Sequence, residues 1–307
     1  MEEIFIINPK AGGDDPEVIA SNVRKIYPDA EIVFTTAAGQ IPELVSGHGG
    51  RRVFVVGGDG TFYEAANGAA VPVAAVAAGS GDSSEPATVC FIPAGSGNDF
   101  VRSLYKGKKF GEGYMSVLRA SKNFTEKKID CGKAEYNGET KFFLNIGSVG
   151  YDAEIVKNSE RYKSKPIFRK ISYILSVFYT LFRYKGTEMR VTVDGNVLEG
   201  KMLLTAVANG QYYGGGIRIA PKAELNDGLF DVLVIDMMSP LKTLFLLPRL
   251  IPGTHLKCRT VHLYHAKTVT VESPESFLLN LDGELMPTKK VTYTMCPDGM
   301  TALTPEK

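Results

Sequence analysis

The sequence predicts an α/β plus all-β architecture, with an N-terminal doubly wound parallel sheet followed by a C-terminal antiparallel β-sandwich. Over the first 125 or so residues, short apolar runs alternate with helical patterns, which is typical of a parallel sheet with helices on its faces. After that point, strand-like runs joined by Asn-Gly and Asp-Gly turns dominate, as in antiparallel β structure. The 307 residues are enough for two domains.

The elements of the first region follow from local patterns. Residues 16–27 are predicted to form a helix, because their apolar side chains recur on one face and Asp15 stands at the N-cap position. Residues 53–56 are apolar throughout, as expected for a strand covered on both faces. The other predicted elements are strands over 4–8, 31–35 and 88–92 and helices over 41–45, 99–104 and 111–120.

The second region is predicted to contain strands with one helical insertion, over 166–184. The predicted strands cover 124–135, 141–146, 188–193, 201–209, 229–235, 260–264, 268–271, 276–281 and 290–295. We place the first domain at 1–125 and the second at 126–287. The last strand could return to either domain.

Composition and charge exclude several classes of protein. The formal net charge of +1 does not favour nucleic acid as a partner. Cys90, Cys131, Cys258 and Cys296 are far apart, which is unlike a disulfide framework or a zinc site. The N-terminus lacks the basic segment of a signal peptide, and the apolar run 171–182 is too short to span a membrane. We therefore expect a cytoplasmic protein, or one bound to a membrane from the cytoplasmic side.

Three loops are predicted to lie at the carboxyl ends of parallel strands, where such sheets bind ligands: 8–13, 57–61 and 94–99. In the second loop, glycines allow close approach of backbone N–H groups, and a helix that begins near Thr61 favours phosphate. It is not a Walker loop, because no Gly-Lys-[Ser/Thr] closes it. It is also not a good dinucleotide fingerprint, since Tyr63 stands where a third glycine is expected. Many glycine turns are only tight turns, but Asp59 and the similar third loop favour phosphate binding.

These motifs resemble the diacylglycerol kinase catalytic family, and most closely its soluble bacterial lipid kinases. The resemblance rests on Gly-Gly-Asp-Gly-Thr at 57–61 with Glu64 and Asn67, and on Pro-Ala-Gly-Ser-Gly-Asn-Asp-Phe at 93–100. It continues with the segment 220–229 and with Leu-Asp-Gly-Glu at 281–284. It implies a Rossmann-like, phosphofructokinase-like nucleotide domain. The Gly-Gly-Asp-Gly element alone is shared with sphingosine kinases, NAD kinases and phosphofructokinases, and Tyr63 departs from the asparagine that the family usually has.

The resemblance also implies roles for particular residues. Glu284 would be the base that takes a proton from the acceptor hydroxyl, with Asp282 close by; the alternative is an ordinary hairpin turn with solvated acids. Asp227 and the backbone carbonyls of Glu224 and Leu229 would hold a structural Mg²⁺, extended through water by Asp99 and Asp130. The implied nucleotide-binding residues are Asn8, Thr35, Gly57, Gly58, Asp59, Gly60, Thr61, Gly95 and Ser96. For Thr35 and Asp130, an ordinary strand position is the alternative.

We therefore expect an ATP-dependent, Mg²⁺-requiring lipid kinase of phospholipid biosynthesis that converts diacylglycerol to phosphatidic acid. An NAD kinase-like enzyme and a non-catalytic nucleotide-binding regulator are the alternatives. Basic residues flank the apolar segment 171–182, and the segment 241–250 is likewise apolar and basic, which suits an anionic membrane surface. Both segments could instead simply pack on the sheet. The sequence leaves homodimer formation open.

Overall fold

The computed structural model describes residues 3–10, 13–70, 85–106, 113–163 and 172–306. The side chains of residues 160–163 and 172–174 are also outside this description. The predicted helix over 166–184 therefore falls only partly on described residues. Within the described part of the chain, no helix combines the length and the apolar character needed to cross a membrane.

The first region alternates strands and helices as predicted. Helix α1 begins where Asp15 Oδ1 accepts the backbone N–H of Glu17 at 2.9 Å, and Pro16 occupies its first turn. The elements of this region are β1 (Glu3–Ile7), α1 (Pro16–Ile26), β2 (Glu31–Phe34), α2 (Ile41–Ser46), β3 (Arg52–Gly57), α3 (Asp59–Ala69), β4 (Thr88–Pro93), α4 (Asp99–Leu104) and α5 (Tyr114–Ala120).

The strands of this region are parallel and lie in the order β2-β1-β3-β4. Most residues of β1, β3 and β4 are apolar and buried, whereas those of β2 are half-buried or exposed. Helices α1, α2, α3 and α5 pack around the strands in one core cluster. At the carboxyl edge of the sheet, Gly57 pairs with Pro93. This register brings the loop after β3 beside the loop after β4.

The second region is mostly antiparallel β structure, with three α-helices and a short 3-10 helix (Thr254–Lys257) among its described residues. The helix after β7 begins with Asp152 in its first turn. The elements are β5 (Phe124–Tyr136), β6 (Glu139–Phe143), β7 (Ile146–Gly150), α6 (Tyr151–Lys163), α7 (Ser172–Arg183), β8 (Thr187–Val193), β9 (Asn196–Ala208), β10 (Phe230–Asp236), α8 (Pro240–Leu250), β11 (Val261–Ala266), β12 (Thr268–Leu281) and β13 (Glu284–Pro305).

Two predictions for this region were wrong, and one helix was not predicted. The apolar run predicted as one strand over 141–146 is the end of β6 and the start of β7, which pairs with β9 and β12. Helix α6 was not predicted, because its apolar residues are few and its surface is mostly polar. The predicted strands 268–271 and 276–281 are one strand, β12, interrupted by an irregularity between Glu272 and Phe277.

The last strand, β13, connects the two regions into one 13-stranded sheet. It is much longer than the predicted strand 290–295, and it pairs with β12 and then with β5. Near its end, Thr301 and Ala302 pair in parallel with Thr88 and Val89 of β4. The sheet therefore continues from the antiparallel region into the parallel one.

Candidate active site

A cleft of about 610 Å³ lies where the two regions meet. One wall contains the loops after β1, β3 and β4. The opposite wall contains residues before and within β7, the start of α6, the turn between β12 and β13, and a glycine segment at 214–215. The parallel strands therefore present their carboxyl ends to this cleft, as expected for a ligand site in a parallel sheet.

The glycines of the first wall are required by close backbone packing. A methyl group on Gly95 would lie 2.6 Å from the Cα of Gly58, and one on Gly57 would lie 2.4 Å from the side chain of Thr61. Gly58 is the extended N-cap residue of α3. The two glycine loops thus touch through their backbones, which leaves room for a ligand over the N-terminus of α3.

Asn8 connects the end of β1 to the same turn. Its Nδ2 donates to Thr61 Oγ1 at 3.0 Å, and its Oδ1 accepts the backbone N–H of Lys10 at 3.0 Å. Ser96 is exposed and lines the cleft from the second glycine loop. The structure therefore brings Asn8, Thr61 and Ser96 to one wall, together with the predicted glycines 58, 60 and 95.

Asp59 fixes the second loop to the first. Its Oδ1 accepts the backbone N–H of Phe100 at 3.2 Å, and the N–H groups of Asp99 and Asn98 also bond to its carboxylate. Burial raises the pKa of Asp59, and these N–H groups lower it in part. Gly97 is needed here as well, since a methyl group on it would lie 2.8 Å from Asp59 Oδ2.

Asp99 reaches from the first wall to the second. Its Oδ2 accepts the backbone N–H of Gly215 at 2.7 Å, and its Oδ1 lies 3.7 Å from Nε of Arg102. Oδ1 is buried and has no hydrogen-bond partner among the described residues. Burial raises the pKa of Asp99, and the nearby Asp59 carboxylate raises it further, while the N–H of Gly215 lowers it.

On the second wall, Asp282 is held in place by backbone amides. Its carboxylate accepts the N–H groups of Leu144, Asn145 and Ile146 at 2.7, 3.0 and 2.8 Å, and its own φ of 49° places it in the left-handed region. Burial raises its pKa to about 7, although these three amides lower it. Because both carboxylate oxygens are already bonded, the geometry favours an anchoring role for this residue.

Glu284 is placed differently from Asp282. It is exposed at the start of β13 and lines the cleft. A methyl group on Gly60 would lie 3.8 Å from its Oε1, an ordinary van der Waals distance. Glu284 therefore lies opposite the glycine turn, on the other wall of the cleft.

Three buried polar residues near the turn between β12 and β13 were not predicted from the sequence: Ser148, Asp152 and Asn280. Ser148 Oγ donates to Asp152 Oδ2, and Asn280 Nδ2 donates to the same oxygen at 3.2 Å. Asp152 and Asn280 line the cleft. Ser148 and Asp152 lie on the consecutive elements β7 and α6, whereas Asn280 lies on β12, 128 positions after Asp152, so no local pattern brings the three together.

Tyr63 and Asn67 join helix α3 to the second region. The side chain of Asn67 donates to the carbonyl of Phe142 and accepts its N–H, both at 2.9 Å. Tyr63 is buried in the hydrophobic cluster of the second region, near Tyr136. Burial raises the pKa of the Tyr63 hydroxyl. The departure from the family's asparagine thus places an aromatic ring at the junction of the two regions.

Several predicted site residues lie outside the lining of this cleft. Thr35 is buried at the end of β2, where its N–H donates to the carbonyl of Ile7. Asp130 accepts the N–H groups of Gly228 and Asp298 at 2.8 and 2.9 Å. The others that do not line the cleft are Gly57, Glu224, Asp227 and Leu229.

The donor groups of the cleft fit a nucleotide-bound Mg²⁺. Among the described residues that line it, Lys10 is the one basic side chain, against the carboxylates of Asp59, Glu64, Asp99, Asp152, Asp282 and Glu284. A triphosphate in such surroundings requires a cation. The described residues contain no group of three or more His, Cys, Asp or Glu placed to hold a metal ion. One or two carboxylates together with substrate phosphates are the ligands that Mg²⁺ commonly takes.

The predicted structural Mg²⁺ site has a weaker set of side-chain donors. Asp227 Oδ1 already accepts the N–H of Leu229 at 3.1 Å. Glu224 lines a different cavity, of about 420 Å³. A metal ion in this loop would depend on the second oxygen of Asp227 and on backbone carbonyls, so this site stays a prediction.

Comparison with protein families gives two matches that cover most of the chain. Residues 3–134 match the family described as the diacylglycerol kinase catalytic domain. Residues 145–304 match the family described as the YegS C-terminal NAD kinase beta sandwich-like domain. The second match covers more than half of the chain, and the two follow each other in the order of the two regions.

One relative and two solved structures are similar to this chain over most of its length. A diacylglycerol kinase of Bacillus subtilis (strain 168) is 29% identical over 76% of this chain and 70% of its own length. The crystal structure of a diacylglycerol kinase from Bacillus anthracis str. Sterne superposes with a TM-score of 0.70 at 22% identity, covering 98% of this chain and 96% of that one. Yeast NADH kinase, at 8% identity and a TM-score of 0.50, covers 100% and 84% and is similar in fold alone.

Proposed function

The chain belongs to the diacylglycerol kinase catalytic-domain family, and we propose that it transfers the γ-phosphate of ATP to the hydroxyl of diacylglycerol, giving phosphatidic acid. It is a phosphotransferase with an alcohol acceptor. The observation that carries the proposal is the cleft itself: two glycine loops in backbone contact face Glu284 across it. A phosphate donor and an alcohol can meet between those walls.

On the first wall, the triphosphate is proposed to bind at the N-terminus of α3. The N–H groups of the first turn have no partners within the helix, and the helix dipole favours negative charge there. Asn8 holds Thr61, and Asp59 holds the second loop, so these groups are fixed before the nucleotide binds. When bound, Mg²⁺ would neutralise phosphate charge near Asp59 and Asp99.

On the second wall, Glu284 is proposed as the base. As the acceptor oxygen bonds to the γ-phosphorus, its proton passes to a carboxylate oxygen of Glu284 and the bond between the γ-phosphorus and the bridging oxygen breaks, releasing ADP. Asp282 supports this step by fixing the turn that carries Glu284. Most of the rate enhancement would come from positioning and charge neutralisation.

We also propose the division into a nucleotide domain at 1–125, with a Rossmann-like, phosphofructokinase-like arrangement, and an acceptor domain at 126–287. The parallel order β2-β1-β3-β4 supports the first assignment. The pairing of β13 with β4 supports the return of the last residues to the first domain. Asp227, Glu224 and Leu229 stay proposed ligands of a structural Mg²⁺, with Asp99 and Asp130 proposed to reach it through water. Thr35 stays a proposed nucleotide contact.

A membrane-facing surface on helices α7 and α8 belongs to the same proposal. The two helices pack against each other, and their exposed apolar side chains include Phe178, Phe182, Leu241 and Phe245, with Phe245 75% exposed. Basic residues lie in the same described segments: Arg183, Lys185, Lys242 and Arg249. Such a surface suits anionic lipid at a cytoplasmic membrane face. Of the basic residues that flank the apolar segment 171–182, Lys165, Arg169 and Lys170 lie outside the described residues.

The test of the function uses γ-labelled ATP, Mg²⁺ and a total lipid extract. Label that partitions into the organic phase and comigrates with phosphatidic acid supports the proposal. Label on added NAD would instead favour the soluble-acceptor alternative, and no transfer to any acceptor would favour a nucleotide-binding regulator. Sedimentation with anionic and neutral vesicles tests the membrane surface separately, with Phe182→Ser and Phe245→Ser expected to lower binding to the anionic vesicles.

A further inference from the structure

Two of the four cysteines lie side by side in the sheet, although they are distant in the sequence. Cys131 on β5 is directly opposite Cys296 on β13 in the antiparallel register. Residues in such positions have Cα atoms about 4.5–5.5 Å apart and side chains on the same face. Disulfides join residues whose Cα atoms are about 4.4–6.8 Å apart. The register therefore places this pair within the range of a disulfide bond.

The two thiols are already in contact. Cys131 and Cys296 are hydrogen-bonded to each other, and Cys296 Sγ also donates to the carbonyl oxygen of Thr294 at 3.9 Å. Both are free thiols in the structure. A methyl group on Gly299 would lie 2.5 Å from Cys131 Sγ and 3.2 Å from Cys296 Cβ. The backbone at Gly299 therefore packs closely against the pair.

The other two cysteines contact different partners. Cys90 is paired with Phe54 in the parallel sheet and hydrogen-bonds to Tyr105. Cys258 Sγ lies 3.1 Å from Nη1 of Arg249. The fold thus brings together one specific pair of thiols, Cys131 and Cys296, which the sequence alone does not identify.

This pair lies where β13 passes from one region of the molecule to the other. β5 is the first strand of the second region and β13 is the last. The pairing of β13 with β5 is irregular between Cys296 and Met300, and beyond that point β13 also pairs with β4. Both cysteines belong to the core cluster of the first region. A covalent bond here would fix the strand that connects the two regions.

From this geometry we propose that Cys131 and Cys296 are a disulfide site, which a low-molecular-weight disulfide such as oxidised glutathione converts into a covalent link between β5 and β13. The Cys296 sulfur attacks one sulfur of the glutathione disulfide, the S–S bond breaks, and one reduced glutathione leaves. The Cys131 sulfur then attacks the Cys296 sulfur, and the second glutathione leaves. Each departing glutathione takes one protein thiol proton, and two electrons pass from the cysteine pair to glutathione.

Burial affects the rate of this exchange and not its equilibrium. Cys131 is fully buried and Cys296 is 2% exposed, so the exchange takes place before β13 folds onto β5 or when the two strands separate. The equilibrium depends on how closely the fold holds the two sulfurs. The sulfurs are in contact in the folded protein and far apart in the unfolded chain, so folding favours the disulfide and the disulfide favours folding. This inference is independent of the proposed phosphotransfer.

The test refolds the protein from urea in mixtures of reduced and oxidised glutathione, starting from both the reduced and the oxidised form. Acid quenching, alkylation and peptide mass spectrometry then give the fraction with a Cys131–Cys296 bond. We expect the equilibrium constant with glutathione to be about thirtyfold larger, or more, in native buffer than in urea, as for a disulfide that closes a long loop. The oxidised protein should also unfold at a higher urea concentration, and dithiothreitol should reverse this shift.

Cys258→Ser is the matched control, because it removes the most accessible thiol and leaves the pair intact; it should behave as the wild type does. Cys296→Ser should form no internal disulfide, and its urea midpoint should not change on oxidation. Oxidised and reduced forms are compared within each variant, so a variant that is less stable does not mimic the effect. Equal equilibrium constants in native buffer and in urea, or a lower urea midpoint after oxidation, would show that the fold resists the bond and would overturn the inference. Glutathione retained on Cys131 or Cys296 in the refolded protein, in place of the internal bond, would overturn it as well.

Discussion

The two walls of the cleft are built in different ways. The first wall consists of short loops that directly follow β1, β3 and β4, and its contacts join loops at neighbouring strand ends, such as Gly58 with Gly95. The second wall collects Leu144, Asp152 and Asn280 from separate elements around the turn of Asp282. The proposed phosphate side thus depends on residues that are near one another in the sequence, whereas the proposed acceptor side depends on contacts between elements that are distant in the sequence.

This difference suits the two tasks. A phosphate chain is the same in every nucleotide, so a fixed set of backbone N–H groups at a helix start can hold it. An acceptor varies in shape, and side chains from several strands can change one at a time without altering the glycine loops. Four changes test how independent the walls are, from the largest expected effect to the smallest.

Replacing Glu284 with Gln should remove the proposed base on the second wall and leave the nucleotide-binding loops of the first wall unchanged. We expect kcat to fall by about 10²–10⁴-fold, the usual contribution of general base catalysis. Affinity for ATP should change by less than about threefold, since this side chain is exposed and makes no hydrogen bond to the glycine loops among the described residues. Single-turnover kinetics and equilibrium nucleotide binding measure the two quantities. Near-normal turnover in a folded Glu284→Gln protein would rule out this residue as the base.

Replacing Gly95 with Ala should damage the first wall. Its new methyl group would lie 2.6 Å from the backbone of Gly58, so the loops must separate, at a cost of about 1–3 kcal/mol in unfolding free energy. Affinity for ATP should fall as well. Gly60→Ala is the control within the same wall, because its methyl group meets only Glu284 Oε1 at 3.8 Å. Equal urea midpoints for the two variants would contradict the close packing of the loops.

Replacing Asn67 with Ala should weaken the contact between helix α3 of the first region and β6 of the second region. The backbone N–H and carbonyl of Phe142 would each lose a partner, and we expect a loss of about 1–3 kcal/mol in unfolding free energy. Asn22→Ala provides the comparison, since Asn22 bonds to Tyr114 within the first region. Urea unfolding followed with both variants should show the larger loss for Asn67→Ala. A smaller loss there would mean that the junction depends on apolar packing alone.

The pH dependence of stability should reveal the burial of Asp282. Its folded pKa of about 7 exceeds the value of about 3.9 for an unfolded Asp, so the folded protein binds this proton more tightly. The resulting stability is fully present below pH about 4 and is lost as the pH rises to about 7. Unfolding free energies of the wild type and Asp282→Asn, compared between pH 4 and 8, should fall more steeply in the wild type, because the raised pKa values of Asp59 and Asp99 act in both proteins. Parallel profiles would indicate that the three amide hydrogen bonds keep the carboxylate ionised throughout.

The same contrast explains what the sequence could predict. The alternation of strand and helix, the N-cap at Asp15 and the glycine loops depend on neighbouring residues, and their elements are present in the structure. The family resemblance was confirmed by the family matches. Glu284 was identifiable only through its motif, and its role stays a prediction.

The missed features depend on contacts between distant residues. Helix α6 has too few apolar residues for a clear periodic pattern, and Asp152 in its first turn bonds to Asn280, 128 positions later in the chain. The three amides that bind Asp282 come from residues more than 130 positions earlier in the chain. Spacing in the sequence carries no signal for such contacts.

The pairing of β13 with β4 has a consequence for synthesis on the ribosome. The edge of β4 pairs with Thr301 and Ala302, so about 200 residues must be translated after β4 before this edge is covered. At about 5–20 residues per second this takes roughly 10–40 s. During that interval the nascent chain exposes an apolar strand edge that can pair with other chains, and a chaperone that shields nascent chains should therefore raise the yield of active protein.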